Sequence, residues 1–135
     1  MLGEPIYLEV EDVIGLYADA LGCTEVQAAD LLRDRPGLEA AVARPLTYAH
    51  YRQADLPLQA AALAHGIAEG QFFIDGNKRV ALVATRVFLL LNGFNVVGSQ
   101  ADRANWILGL SERGLSAEEK VDRLAKTLRR AAQPA

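Results

Sequence analysis

The sequence predicts an all-α protein, a single-domain helical bundle around a central apolar helix, with a small loop or β-hairpin flap. Three observations predict it. Apolar residues recur at helical spacing over most of the chain, helix-start signals stand at regular intervals, and Val80 to Leu91 is apolar on nearly every face.

Val10, Val13, Ile14, Tyr17, Ala20 and Leu21 mark a first amphipathic helix, with Glu9, Glu11 and Asp12 at its positive end and Gly22 as its stop. Thr24 caps a second helix reaching about Leu32. Gly37 to Ala43 forms a short third, which Pro45 ends. From Pro45 to Asp55 the tyrosines, Thr47 and the charged residues break the helical pattern, and this stretch is assigned to the flap. Glu39 and Arg44 are expected to form a surface pair. Asp55 is expected to cap the next helix, in whose first turn Pro57 sits and which continues through Ala68 toward the segment beginning at Gln71. The apolar helix then runs from Asn77 to Leu91, and Asn92-Gly93 ends it. A further helix spans Asp102 to Arg113, and the capping box Ser116-Ala-Glu-Glu119 opens the last. Lys126, Arg129 and Arg130 read as a solvated helix end that the macrodipole favours.

With 135 residues the chain has the length of one domain, 1–135, and 51% apolar residues are enough for one core. No apolar run reaches the roughly 20 residues needed to span a bilayer, and no signal-peptide pattern is present, so a cytoplasmic location without membrane association is expected. Cys23 is the only cysteine and there are two histidines, which excludes an internal disulfide and a Cys/His zinc cluster. A net charge of −3 with no basic stripe argues against broad nucleic-acid binding.

The segment Gln71-Phe-Phe-Ile-Asp-Gly-Asn-Lys-Arg79 carries the chemistry. Asp75-Gly76 reads as a turn and Asn77 as an N-cap, so Lys78 and Arg79 fall in a first helical turn, where the macrodipole disfavours cations unless an anion is bound. Free backbone N–H groups and the two cations converge on one volume suited to phosphate. Asp75, beside it, is placed to hold a divalent cation against the same phosphates. Phe73 is expected to anchor the loop in the core.

This nine-residue segment resembles the signature of the Fic/Doc superfamily: His, any residue, Phe, any residue, Asp or Glu, Gly or Ala, Asn, Gly or Lys, Arg. It matches at Phe73, Asp75, Gly76, Asn77 and Arg79. Lys78 is similar to the death-on-curing (Doc) toxin branch, where the AMP-transferring Fic branch usually has glycine. Arg33 to Pro45, Tyr51, Ala54 to Leu56 and Ala64 to Ala68 extend the resemblance upstream.

The resemblance implies that Asp75 orients Mg²⁺, and that Gly76, Asn77, Lys78 and Arg79 cradle the phosphates of ATP. It further implies a Doc-type protein kinase, the toxin of a toxin–antitoxin pair, that phosphorylates a translation factor, elongation factor Tu. A cognate antitoxin would neutralise it in trans, because no segment resembles the built-in inhibitory helix of some Fic proteins.

One position departs from the signature. The family's His takes a proton from the target hydroxyl, and Gln71 stands there. A carboxamide has no usable basicity near neutral pH, and losing a general base removes about two to four orders of magnitude in rate. His65 lies about 240° around the same helix and roughly 9 Å along its axis, which suits packing. His50, in the flap, is the candidate surrogate. Three functions therefore stand: an active Doc-like kinase, a nucleotide-binding member without turnover, and, least favoured because Lys78 crowds the glycine position, a protein AMP transferase.

Overall fold

A computed structural model describes residues 4–135. Seven α-helices follow in order: α1 (Val10–Leu21), α2 (Glu25–Leu31), α3 (Arg35–Arg52), α4 (Leu56–Gly70), α5 (Asn77–Leu91), α6 (Gln100–Leu108) and α7 (Ala117–Ala131). The strands β1 (Phe94–Val96) and β2 (Ala132–Pro134) pair antiparallel, Phe94 opposite Pro134 and Val96 opposite Ala132, and tie the chain's end to the exit of α5. The expected all-α bundle is therefore present, with this two-stranded sheet as its β component.

The helix ends follow their sequence signals. Thr24 Oγ1 accepts from Gln27 N at 3.1 Å, Ser116 Oγ from Glu119 N at 3.1 Å, and Asp55 Oδ1 from Leu58 N at 3.0 Å. Gly22 ends α1 in the left-handed region at φ 70°.

The segment from Pro45 to Asp55 differs from expectation. α3 runs unbroken through Pro45 to Arg52, and no hairpin or loop flap forms there. An interior proline removes one helical hydrogen bond and costs about 3 kcal/mol in isolation, but tertiary packing outweighs it here. Pro45 is buried, Thr47 Oγ1 donates to Ala43 O at 3.2 Å, and the guanidinium groups of Arg44 and Arg52 lie 5.7 and 5.0 Å from the centre of the Tyr48 ring. α3 folds back on α4 through the short turn Gln53–Asp55, making an antiparallel hairpin of helices.

α4 is the most enclosed helix, packed by α3, α5 and α7. Every residue from Gln59 to Ala64 is buried. Its alanines let neighbouring backbones approach closely, so a weak hydrophobic pattern occupies the centre. α5 lies beside it and buries Val80, Ala81, Ala84, Phe88 and Leu89, while Leu90 and Leu91 stay exposed. The all-round enclosure expected of α5 thus belongs to α4.

Two expected charge arrangements are also replaced. Glu39 pairs with Arg35 at 3.3 Å, and Arg44 instead turns to His65 Nδ1 at 3.3 Å. Arg129, rather than being solvated, donates to both carboxylate oxygens of Asp55 at 2.8 and 3.0 Å. That guanidinium holds the Asp55 carboxyl below its ordinary value. A depressed carboxylate pKa contributes stability above the unfolded value of about 3.9 and loses it as pH falls through the folded value. Asp55→Asn, which keeps a capping oxygen, should flatten the acid limb of a Tm-against-pH profile below about pH 4. The effect should stay under about 1 kcal/mol because both side chains are half exposed.

Candidate active site

The site is the loop from α4 to α5. α4 ends at Gln71, whose φ of 56° is the left-handed turn that reverses the chain. Phe72 packs over Gly37 and Gly70, where any side chain would collide with its ring. The linker between α2 and α3 braces the loop as an isolated bridge, Leu32 opposite Phe73. Arg33 N donates to Phe72 O at 2.7 Å and Ile74 N to Leu31 O at 3.0 Å.

Phe73 is 1% exposed and stacks on Tyr17, ring centres 4.0 Å apart. The anchoring role expected of it holds. Asn77 differs from expectation. Gly76, at φ 74°, is the N-cap of α5, and Asn77 is its first helical residue. Its buried carboxamide is committed to the backbone of Phe73: Oδ1 accepts from Phe73 N at 3.0 Å and Nδ2 donates to Phe73 O at 3.0 Å. With both polar groups engaged, the Asn77 side chain shapes the loop and has no free group to offer a ligand.

A glycine N-cap has no side chain to satisfy the first turn. The N–H groups of Asn77, Lys78 and Arg79 find no acceptor among the described residues, and the first α-helical bond of α5 is Val80 N to Gly76 O at 3.0 Å. Gly76 has a second constraint, since a methyl group there would lie 2.8 Å from Leu21 Cδ2. Gly76→Ala should lower stability by about 1–3 kcal/mol through left-handed strain alone, read as a lower midpoint in urea.

Gln71, Ile74, Asp75, Gly76, Lys78 and Arg79 line one open cleft of about 630 Å³, beside Leu21 and Ala68. Lys78 and Arg79 are exposed and have no carboxylate partner among the described residues. The Gln71 side chain, also exposed, makes no hydrogen bond among the described residues. Asp75 is held from below: the Tyr17 hydroxyl, 3.1 Å from Asp75 O and 3.2 Å from Asp75 Oδ1, donates to this pair of acceptors. Burial, then that carboxylate, pushes the Tyr17 hydroxyl up from its ordinary pKa, so it remains a donor.

Tyr17 is the residue that sequence reading missed, having been placed among the apolar positions of α1. The signal was a hydroxyl on an otherwise apolar stripe, which must find a partner when buried.

The donor set fits Mg²⁺ in one way. Among the described residues no group of three or more carboxylate, histidine or cysteine side chains could hold a metal alone. A single carboxylate on the rim of the cleft would suit Mg²⁺ only where the phosphates of a bound ligand supplied the other ligands.

Neither histidine enters the cleft. His65 is half buried in mid-α4, and burial followed by the charge of Arg44 lowers its pKa, favouring a neutral ring packed against α3. His50 stands on the last turn of α3, whereas the start of α3 adjoins Phe72. Arg35 and His50 are fifteen positions apart, about 22 Å along the helix. The expected surrogate base is therefore at the wrong end of the hairpin.

Comparison with known proteins agrees with the geometry. The chain is 38% identical over 101 residues to the protein named Toxin Doc of Mycolicibacterium smegmatis, a match covering 73% of this chain and 74% of that relative. The sequence model of the Fic/DOC family matches residues 7–89, from the strand of chain before α1 to the last turns of α5, with the whole cleft-forming loop inside it. The chain belongs to the Fic/DOC family.

Proposed function

We propose that this protein is a Doc-like toxin whose cleft binds ATP with Mg²⁺ and directs phosphoryl transfer to a hydroxyl of a translation factor in the cytoplasm. Elongation factor Tu is the target that the family resemblance favours, and a cognate antitoxin acting in trans is the corresponding partner. One observation carries the reading: the uncapped start of α5 presents free N–H groups, Lys78 and Arg79 to a cleft with Asp75 on its rim.

In this mechanism the backbone N–H groups and the two cations hold the phosphate oxygens and stabilise charge that grows on them during transfer. Mg²⁺ on Asp75 would neutralise charge on adjacent phosphate oxygens. Tyr17 keeps the Asp75 carboxylate from rotating away. Gln71, at the family's base position, can orient a hydroxyl by hydrogen bonding without removing its proton.

That last point supports a second reading, a nucleotide-binding member with little turnover. AMP transfer is the least favoured, because Lys78 occupies the place where that branch carries glycine. ATP labelled on either the α or the γ phosphate, added with Mg²⁺ and purified protein to a translation extract, separates the three. A γ-labelled protein band supports the kinase, and an α-labelled band supports AMP transfer. Mg²⁺-dependent ATP binding with no labelled band supports the second reading.

A further inference from the structure

A second groove, of about 590 Å³, lies between α5 and α6, with Leu82 and Ile107 as its apolar lining. It adjoins the motif cleft at Lys78 and Arg79, which line both. Arg86 of α5 and Arg103 of α6 also line it, and no acidic residue does.

Arg86 and Arg103 have no carboxylate partner among the described residues. Arg103 Nε is buried and meets no hydrogen-bond acceptor there, an arrangement that costs free energy until an acceptor arrives. Arg86 is partly buried, and burial followed by the charge of Arg103 lowers its pKa. Two guanidinium groups thus share an apolar groove and repel one another. An anion held by both would satisfy the stranded Nε and offset the repulsion, and guanidinium forks suit phosphate oxygens in particular.

ATP does not supply that anion. Its charge lies on the phosphate chain, which the start of α5 takes together with Lys78 and Arg79 under the reading above, and its adenosine is neutral. Arg86 follows Arg79 by seven residues and Lys78 by eight, roughly 10 to 12 Å along α5. The two cation pairs therefore match a ligand with anionic groups at two places and an uncharged body between them. A nucleotide with a further phosphate on the 2′ or 3′ oxygen of its ribose has that form. Its polyphosphate leaves one side of the sugar, the extra phosphate leaves the other, and the rest of the nucleoside covers Leu82 and Ile107. Because one molecule carries both anions, the second contact is intramolecular once the first is made, and the affinities reinforce each other.

We propose that the α5–α6 groove is a second-phosphate site, in which Arg86 and Arg103 bind a phosphate on the ribose of a nucleotide whose polyphosphate is held at the start of α5. The inference names a ligand class for the motif cleft and rests on the reading of that cleft as a nucleotide site. Such a ligand shares Lys78 and Arg79 with ATP, so the two bind in competition.

The test is calorimetric titration of the full chain, in Mg²⁺, with three probes: ATP, ATP carrying a 3′-phosphate, and its 2′-phosphate isomer. At least one isomer should bind about tenfold tighter than ATP or better, the worth of a charge-assisted contact, and the isomer that gains identifies the ribose oxygen. Arg86→Gln and Arg103→Met should each return that isomer to the affinity of ATP while leaving ATP itself unchanged. Arg103→Met deletes the stranded Nε and should fold at least as well as the parent, and retained ATP binding reports that each variant is folded. Equal binding of ATP and both isomers would overturn this inference alone, as would a gain that survives both substitutions. Weaker ATP binding in the arginine variants would overturn it too, since the groove would then hold the ordinary triphosphate. An isomer that binds through Arg86 and Arg103 where ATP does not would support the second site and remove ATP as the substrate. No binding of any probe would sink both readings.

Discussion

Replacing Gln71 by His should raise phosphoryl transfer by about two to four orders of magnitude, the contribution of a positioned general base. Position 71 lines the cleft with a side chain that is exposed and makes no hydrogen bond among the described residues, so an imidazole can be accommodated without displacing a structural contact. No other histidine can substitute, because His50 is at the far end of α3 and His65 faces Arg44. The comparison is the initial rate of γ-label transfer to the target by the parent and Gln71→His proteins. The variant's rate should also rise through the ordinary histidine range near pH 6.5, a limb absent from the parent. Equal rates and equal pH profiles would place the proton acceptor elsewhere and remove position 71 from the chemistry.

Asn77→Ala should destabilise the fold by about 2–5 kcal/mol and lower Tm on the order of 10 °C. The substitution deletes both hydrogen bonds to the Phe73 backbone and strands a donor and an acceptor next to a residue that is 1% exposed. An unmade buried hydrogen bond costs more than a made one contributes, which is why a single surface-type residue has an effect this large. The competing view is that Asn77 holds phosphate through its side chain. That view predicts unchanged thermal stability together with weakened ATP binding. Thermal melts and ATP titration of the same variant therefore decide between a loop-shaping and a ligand-contacting carboxamide.

The two cases differ in how much the sequence revealed. Gln71 is identified by its place in a nine-residue pattern, and its lack of basicity follows from chemistry alone. Asn77 was legible as a site residue and as a helix start, but not as the side chain that ties the loop to Phe73, since Asx residues before helices suit an N-cap equally well. The difference lies in one backbone torsion: Gly76 takes the left-handed cap position, which turns the Asn77 carboxamide inward toward Phe73. Tyr17 was hidden for a related reason. Fifty-eight residues separate it from Asp75, and no local pattern records such a contact.

Local rules determined the helix starts at Thr24, Asp55 and Ser116, the stop at Gly22, the apolar α5 and the convergence of Lys78 and Arg79 with free N–H groups. These depend on interactions within about one helical turn, which the order of residues specifies directly. Only the tertiary structure decided that α3 continues through Pro45, that Ala-rich α4 is the enclosed helix, that Arg129 joins Asp55, and that Arg86 and Arg103 meet across a groove. Those outcomes depend on free energies summed over surfaces distant in sequence. Burial and long-range pairing there exceed the roughly 3 kcal/mol that a local propensity such as proline's can oppose.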